Sequence, residues 1–372
     1  MKLSTVLALL GILPVCTVFA QQKLPVIRAT STTVSIKDGP NFRKNAWTIE
    51  PATKPDIYPT TAKRVTFYTD VDSISITVKP DRPQDFYILL NGKDSALTRV
   101  RYEPSRLEIL KKAKQYNNND KRELPAFTYQ PASDTALKRI RHDLKLDSIA
   151  GTGNEISQMI NLMQWVHNII RHDGGSDNPT LRNAIDIISI CEKENRGFNC
   201  RMMATVLNEC YLAMGFKSRF VTCMPKELKF NDCHVINMVY SEELKKWVWM
   251  DPTFNAYVMN EKGEMLGLRE VRERLISGQT LILNPDANWN KKNSQTKETY
   301  LDNYMAKNLY RLECPVGSMY DTETTVAGKQ ISYIELVPLD ALNQQGEKWE
   351  SKKKVTYITN VTNNPDLFWA KP

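Results

Sequence analysis

The chain has 372 residues, of which 41% are hydrophobic and 25% charged, and a formal net charge of +8. Such a composition supports packed cores and excludes a disordered chain, and the length fits two domains. The lysines fall in short runs (Lys111-Lys112, Lys291-Lys292, Lys352 to Lys354) without interleaved aromatics, so the excess charge reads as solvated surface and no nucleic-acid partner is expected.

Residues 1–20 begin Met-Lys, run apolar from Val6 to Val15 and end Val-Phe-Ala before Gln21. That is the layout of a cleaved secretory signal, so an exported chain, periplasmic or secreted, is expected. A lipid anchor through Cys16 is the alternative, disfavoured by the large Val15 just before it. No other stretch approaches eighteen apolar residues, and no membrane span is expected beyond the signal.

Residues 21–103 read as an all-β sandwich of about eight strands: VIRATSTTVSI, KRVTFYTDV, SISITVKP, DFYILLNG and LTRVRYE are separated by Asp-Gly, Pro-Asp and Asn-Gly turns. The segment holds neither Cys nor His, and its aromatics, among them Phe42, Trp47, Phe67, Tyr68 and Phe86, read as core. Residues 104–132 read as a polar connector with a short helix near Leu107 to Tyr116 and the loop NNNDKRELP. Helices are expected at Asp134–Leu144, at Asn154–Ile170 and at about Thr180–Cys191. The His172-Asp173 pair before Gly174-Gly175 reads as turn or capping chemistry, with a place in a substrate cleft as the alternative.

From Gly197 to Thr253 the chain carries a Cys, a His and an Asp in that order. Asn199 is a good N-cap, Gly215 a good residue just past a helix end, and Met203, Val206, Leu207, Cys210, Tyr211 and Met214 repeat at helical spacing between them. This predicts a buried helix over 200–214 with Cys200 in its first turn. There, unpaired N–H groups and the helix dipole favour an anion and lower a thiol's pKa. Arg196 and Arg201 flank the Cys, either to hold a thiolate or an acidic substrate group or as solvated surface. Residues 233–240 and 246–251 alternate around the polar run SEELK and read as a β-hairpin. A turn centred between Glu242 and Glu243 places His234 directly opposite Asp251 on one face, Cβ atoms about 5 Å apart. A Cys at a helix start, with a His oriented by an Asp, is the general pattern of nucleophile, base and orienter.

At these residues the sequence resembles the transglutaminase-like superfamily. The resemblance rests on the Cys-Arg helix start, the LAMGFKSRFV segment, the His on the next strand and the closing W-x-W-x-D-P-T. It implies an α+β fold, a transglutaminase-like, papain-like catalytic domain preceded by the β-sandwich. It also implies roles: Cys200 as nucleophile, His234 as general base and acid, Asp251 as orienting carboxylate. Two features depart from the pattern: the glycine before the nucleophile, Gly197, stands three residues back, and no Trp follows His234.

The remainder contains an amphipathic helix near Leu268 to Ile276, then NYMAKNLYRLEC, KQISYIELVPL and KKVTYITNV, which read as one helix and several strands added to a catalytic domain spanning 133–372. With no C-x-x-C pair and four histidines spread from His142 to His234, neither a metal site nor a cofactor is expected. Outside the signal, and with Cys200 kept free, five cysteines allow at most two disulfides. The expectation is an exported thiol-dependent amide hydrolase, a cysteine peptidase or amidase acting on peptide, protein or cell-wall amides through a thioester. The alternatives are a protein cross-linking transglutaminase and a non-catalytic binding or assembly protein on the same fold. A second oxyanion donor is not identified by the pattern; Trp165 or a loop amide could fill that place. Oligomeric state is not legible.

Overall fold

The computed structural model describes residues 23–52, 54–340 and 344–372; the export signal read at 1–20 lies outside them. The chain divides into two units between Pro104 and Ser105. In the first, β1 (Val26–Ala29), β2 (Thr33–Asp38), β3 (Asn41–Thr48), β4 (Asp56–Thr60), β5 (Arg64–Tyr68), β6 (Ser73–Thr77), β7 (Gln84–Leu90) and β8 (Asp94–Tyr102) follow one another. They form two four-stranded sheets, β1-β7-β8-β4 and β3-β2-β5-β6. Alternate residues point inward, among them Val34, Ile36, Val65, Phe67, Phe86, Ile88 and Val100, all fully buried, and the Phe67 and Phe86 rings meet across the sheets at 5.1 Å. This is a sandwich core, one apolar face per sheet. Asn91 and Gly92, both at positive φ, form with Lys93 the three-residue loop that joins β7 to β8. Not all the aromatics are core: Phe42 is 60% and Tyr68 38% exposed, because both lie on the outer side of the β3-β2-β5-β6 sheet, where they touch each other edge to face.

The second unit begins at Ser105. The stretch read as a connector carries α1 (Arg106–Lys111), closed by a Ser105–Glu108 capping box, and β9 (Thr128–Tyr129). Leu110 is fully buried in the core of this unit, so tertiary packing orders a segment whose composition is polar. Then come α2 (Thr135–Asp143), α3 (Leu146–Ala150), α4 (Glu155–Ile169), α5 (Ala184–Glu194) and α6 (Cys200–Ala213). Asn199 caps α6 by accepting from the Met202 N–H, and Gly215 at φ +93° ends it. From Met202 to Ala213 every residue of α6 is buried, which marks a central helix rather than a surface one. Leu137 and Ile140 of α2, Met159 and Val166 of α4, and Ile187 of α5 pack around it.

A seven-stranded sheet lies against these helices, ordered β12-β11-β10-β13-β14-β16-β15. Its strands are β10 (Ser218–Met224), β11 (His234–Ser241), β12 (Lys246–Met250), β13 (Arg311–Pro315), β14 (Gln330–Leu336), β15 (Glu347–Glu350) and β16 (Thr356–Thr362). The last four, from the tail of the chain, continue the sheet begun by β10 to β12. Helix α7 (Leu268–Ser277) and a π-wound segment, Glu298–Met305, also belong to this unit.

The hairpin register differs from the sequence expectation by two. Asn237 pairs with Met250 and Ser241 with Lys246, so the four turn residues are 242–245, with Lys245 at positive φ. The turn is shifted because Ser241 closes the strand from inside: it is buried, donates to the Glu155 carboxylate at 2.5 Å and accepts from the Leu244 N–H. A slip of two preserves the face on which each side chain lies. His234 and Asp251 therefore remain on one face but sit diagonally.

Candidate active site

Cys200 is the first residue of α6 and His234 the first of β11, so the two meet at one end of the sheet. Asp251 follows the last residue of β12. His234 is 1% and Asp251 0% exposed, and His234 Nε2 lies 2.7 Å from Asp251 Oδ2. With Nε2 taken by the carboxylate, Nδ1 is left for the Cys200 sulfur; the Tyr304 hydroxyl stands 3.4 Å from that same nitrogen.

Asp251 is held by four donors. Oδ2 accepts from His234 and from the Tyr300 hydroxyl at 2.5 Å, and Oδ1 from the backbone N–H groups of Thr253 and Phe254. Burial and the adjacent Asp251 push the Tyr300 hydroxyl well above its ordinary pKa, so it stays a donor. The His234 ring is flanked edge to face by Phe254 and Tyr304, at 5.4 and 5.2 Å. These rings exclude water from the imidazole and fix its plane.

A second imidazole reaches Cys200. Burial alone would raise the thiol's pKa, but hydrogen bonds from His172 and His234 and the charge of His234 outweigh it and bring Cys200 down to about 6. The other half-buried thiols go the opposite way: burial pushes Cys191 and Cys233 up to about 11. His234 is raised to about 10, because Asp251 and the Cys200 thiolate overcome the desolvation that would lower it. The Trp289 indole N–H donates to His172 Nδ1 at 3.0 Å, which puts the imidazole proton on Nε2, the atom free to donate toward Cys200. Asn290 clamps the His172 backbone, accepting from its N–H at 2.7 Å and donating to its carbonyl at 2.9 Å.

His172 stands 28 residues before Cys200 in sequence, and a backbone bridge to Phe198 brings it there. Phe198 N–H donates to the Arg171 carbonyl and Asp173 N–H to the Phe198 carbonyl. Gly197 permits this approach, since a Cβ there would stand 2.5 Å from the Arg171 carbonyl oxygen. The displaced glycine thus has a steric cause. Gly197→Ala is expected to cost about 1–3 kcal/mol of stability and to slow Cys200 alkylation at pH 6 by moving His172; a denaturation midpoint and an alkylation rate both equal to wild type would refute this.

Of the turn pair, Asp173 does the turn chemistry, accepting from Gly175 N–H, whereas His172 belongs to the site. The flanking arginines do not hold the sulfur. Arg196 bonds Ser176 and the Asp177 carbonyl and lies over the Phe198 ring, and Arg201 bonds Glu323 and Thr222. Trp165 packs on the core around α4 and α6. Tyr300, Tyr304, Trp289 and Asn290 were not visible as site residues in the sequence; the only trace was the i, i+4 spacing of the two tyrosines. Among the described residues, all six cysteines are free, no three His, Cys, Asp or Glu residues converge as a metal site, and no helix is long and apolar enough to cross a membrane.

Comparison with known proteins adds a family. Residues 143–252, which contain α4 to α6 and the hairpin, match the transglutaminase-like superfamily. No curated protein matches the chain. Among solved structures, a candidate cysteine protease from Cytophaga hutchinsonii is 19% identical over 34% of this chain and 46% of its own, with a TM-score of 0.26. A red sea bream transglutaminase is 10% identical over 77% of this chain and 61% of its own, with a TM-score of 0.27.

Proposed function

We propose that this chain, which carries a transglutaminase-like domain over residues 143–252, is an exported thiol-dependent amide hydrolase, a cysteine peptidase or amidase. The observation that carries the reading is the ring orientation of His234: Asp251 holds Nε2 at 2.7 Å, which leaves Nδ1 to exchange a proton with Cys200. In this reading the Cys200 thiolate attacks the amide carbonyl carbon, and the charge that develops on the oxygen is met by the Cys200 backbone N–H and by His172 Nε2–H. His234 gives its proton to the leaving nitrogen, the C–N bond breaks, and a thioester remains. Water then loses a proton to His234 and attacks the thioester, the C–S bond breaks, and a carboxylic acid and the thiolate are released. In this reading residues 1–20 act as an export signal, and the substrate is met outside the cytoplasm, among peptide, protein or cell-wall amides.

The pH dependence has a definite sign. A thiol lowered to about 6 loses its proton as pH rises through that value, and an imidazolium raised to about 10 keeps its proton until pH passes that value. The ion pair is therefore present between about pH 6 and about pH 10. Iodoacetamide labelling of the mature protein is expected to rise with an inflection near pH 6 and to map to Cys200, and kcat/KM on any amide substrate is expected to trace a bell between those limits. Labelling that rises only near the ordinary thiol value of about 8.5 would leave a binding or assembly protein as the better account.

A further inference from the structure

A cavity of about 380 Å³ opens beside the first turn of α6, within the second unit, and the chemistry at Cys200 does not use it. Arg201, the residue after the nucleophile, forms one wall together with Asn178, whose side-chain oxygen accepts from the cap residue Asn199 at 2.7 Å. The sheet contributes Glu313 of β13 to the lining. Trp349 of β15 also lines it, stacked on Tyr357 of β16 with ring centroids 4.4 Å apart and planes 16° from parallel. Trp349 is 49% exposed, on an edge strand whose residues are all exposed, so it serves no core.

The charges in this cavity decide the sign of a ligand. Arg201 is already committed, with Nη1 on Glu323 Oε1 at 2.7 Å and Nη2 on Thr222 at 2.8 Å. Arg182 donates from Nε to the Pro179 carbonyl, and its Nη1 stands 3.9 Å from Glu323 Oε2, too far for a hydrogen bond. Glu323 is 2% exposed, and among the described residues its Oε2 has no hydrogen-bond partner. The half-buried carboxyl of Glu313 likewise accepts no hydrogen bond from the described residues. Glu313, Glu323 and Glu347 face Arg182 and Arg201 here, three carboxyl groups against two guanidinium groups; burial pushes Glu313 up to about 7, and Glu323 Oε1 accepts from Arg201 and Tyr333 while its Oε2 is left unfilled. A flat aromatic wall adds an attractive face for a cation.

We propose that this cavity is a substrate subsite for a primary ammonium group, which bonds Glu313 while the chain that bears it lies on the Trp349–Tyr357 stack. A peptide α-amino terminus and a lysine-type side chain carry the same chemistry. As a subsite, it rests on the amide-hydrolase reading; as a binding site, it does not.

Titration calorimetry on the full mature chain carrying Cys200→Ala tests it without turnover. Three probes are compared: acetyl-Ala-Ala-Ala-amide, with no ammonium; Ala-Ala-Ala-amide, with an α-ammonium; and acetyl-Ala-Lys-Ala-amide, with an ε-ammonium. One of the ammonium peptides is expected to bind at least about tenfold tighter than the capped one, as for a charge-assisted hydrogen bond, and which one does identifies the source. The preference is expected to vanish in Glu313→Gln and to weaken in Trp349→Ala, whose site on an exposed edge strand spares the core. Equal binding of all three probes, or a preference that survives both substitutions, overturns the proposal. An intact preference in a protein whose Cys200 lacks low-pH labelling would remove the hydrolase reading and leave the ammonium site. Low-pH labelling without the preference would do the reverse.

Discussion

With His172 and His234 both replaced by alanine, the inflection of Cys200 alkylation is expected to move from about pH 6 to 8.5 or above, since burial then acts on the thiol unopposed. At pH 6 a thiol of pKa about 6 is roughly half ionised, against about 0.3% for one at 8.5. A thiolate of lower pKa is also intrinsically less nucleophilic, which offsets roughly tenfold of that gain. The net fall in labelling rate at pH 6 is therefore at least about tenfold, and the shift in inflection is the cleaner signal. Each single substitution is expected to give part of the shift, because each imidazole makes its own hydrogen bond to the sulfur. The two are distinguishable by turnover. His234→Ala removes the proton carrier and is expected to abolish hydrolysis. His172→Ala removes an oxyanion donor, an expected loss of about 10²–10³ in kcat. A His172→Ala enzyme with unchanged kcat and an unshifted inflection would confine that residue to structure.

Asp251→Asn is expected to lower turnover by about 10⁴, the loss that the same exchange produces in a serine-protease triad, with Cys200 and His234 both still present. Its Oδ1 keeps the N–H groups of Thr253 and Phe254, so the amide nitrogen faces His234 Nε2. That donor requires an acceptor at Nε2, which forces the imidazole proton onto Nδ1 and turns the ring the wrong way for taking a proton from Cys200. Loss of the carboxylate charge also removes the largest influence raising His234, so the alkaline limb of the profile should fall from about 10. The same charge is linked to stability: a raised His234 favours the folded chain below its unfolded pKa of about 6.5, and this is lost as pH rises through about 10. A variant that kept turnover within threefold of wild type, with the alkaline limb in place, would remove Asp251 from the mechanism.

The sequence by itself determined the features that depend on local spacing. Asn199 and Gly215 bracket α6 because capping and left-handed backbone are properties of single residues and their nearest neighbours. The alternating runs of the first unit become eight strands because a pleated chain with period-two burial has one apolar face. His234 and Asp251 fall on one face for the same reason, and even a pairing register shifted by two residues leaves that parity unchanged. Tertiary structure alone decided what approaches Cys200 from far along the chain. His172 arrives through a backbone bridge to Phe198 that Gly197 allows, Trp289 then fixes its tautomer, and Tyr300 and Tyr304 close on Asp251 and His234 from a helix about fifty residues or more downstream. No spacing rule records such meetings. They follow from which surfaces the seven-stranded sheet and α6 bury together, and packing converts an isolated histidine, read as part of a turn, into a hydrogen-bond donor at Cys200. The same holds for Glu313 and Trp349: one reads as a strand carboxylate and the other as an edge aromatic, until the strands of the tail extend the sheet past Arg201 and line them along one cavity.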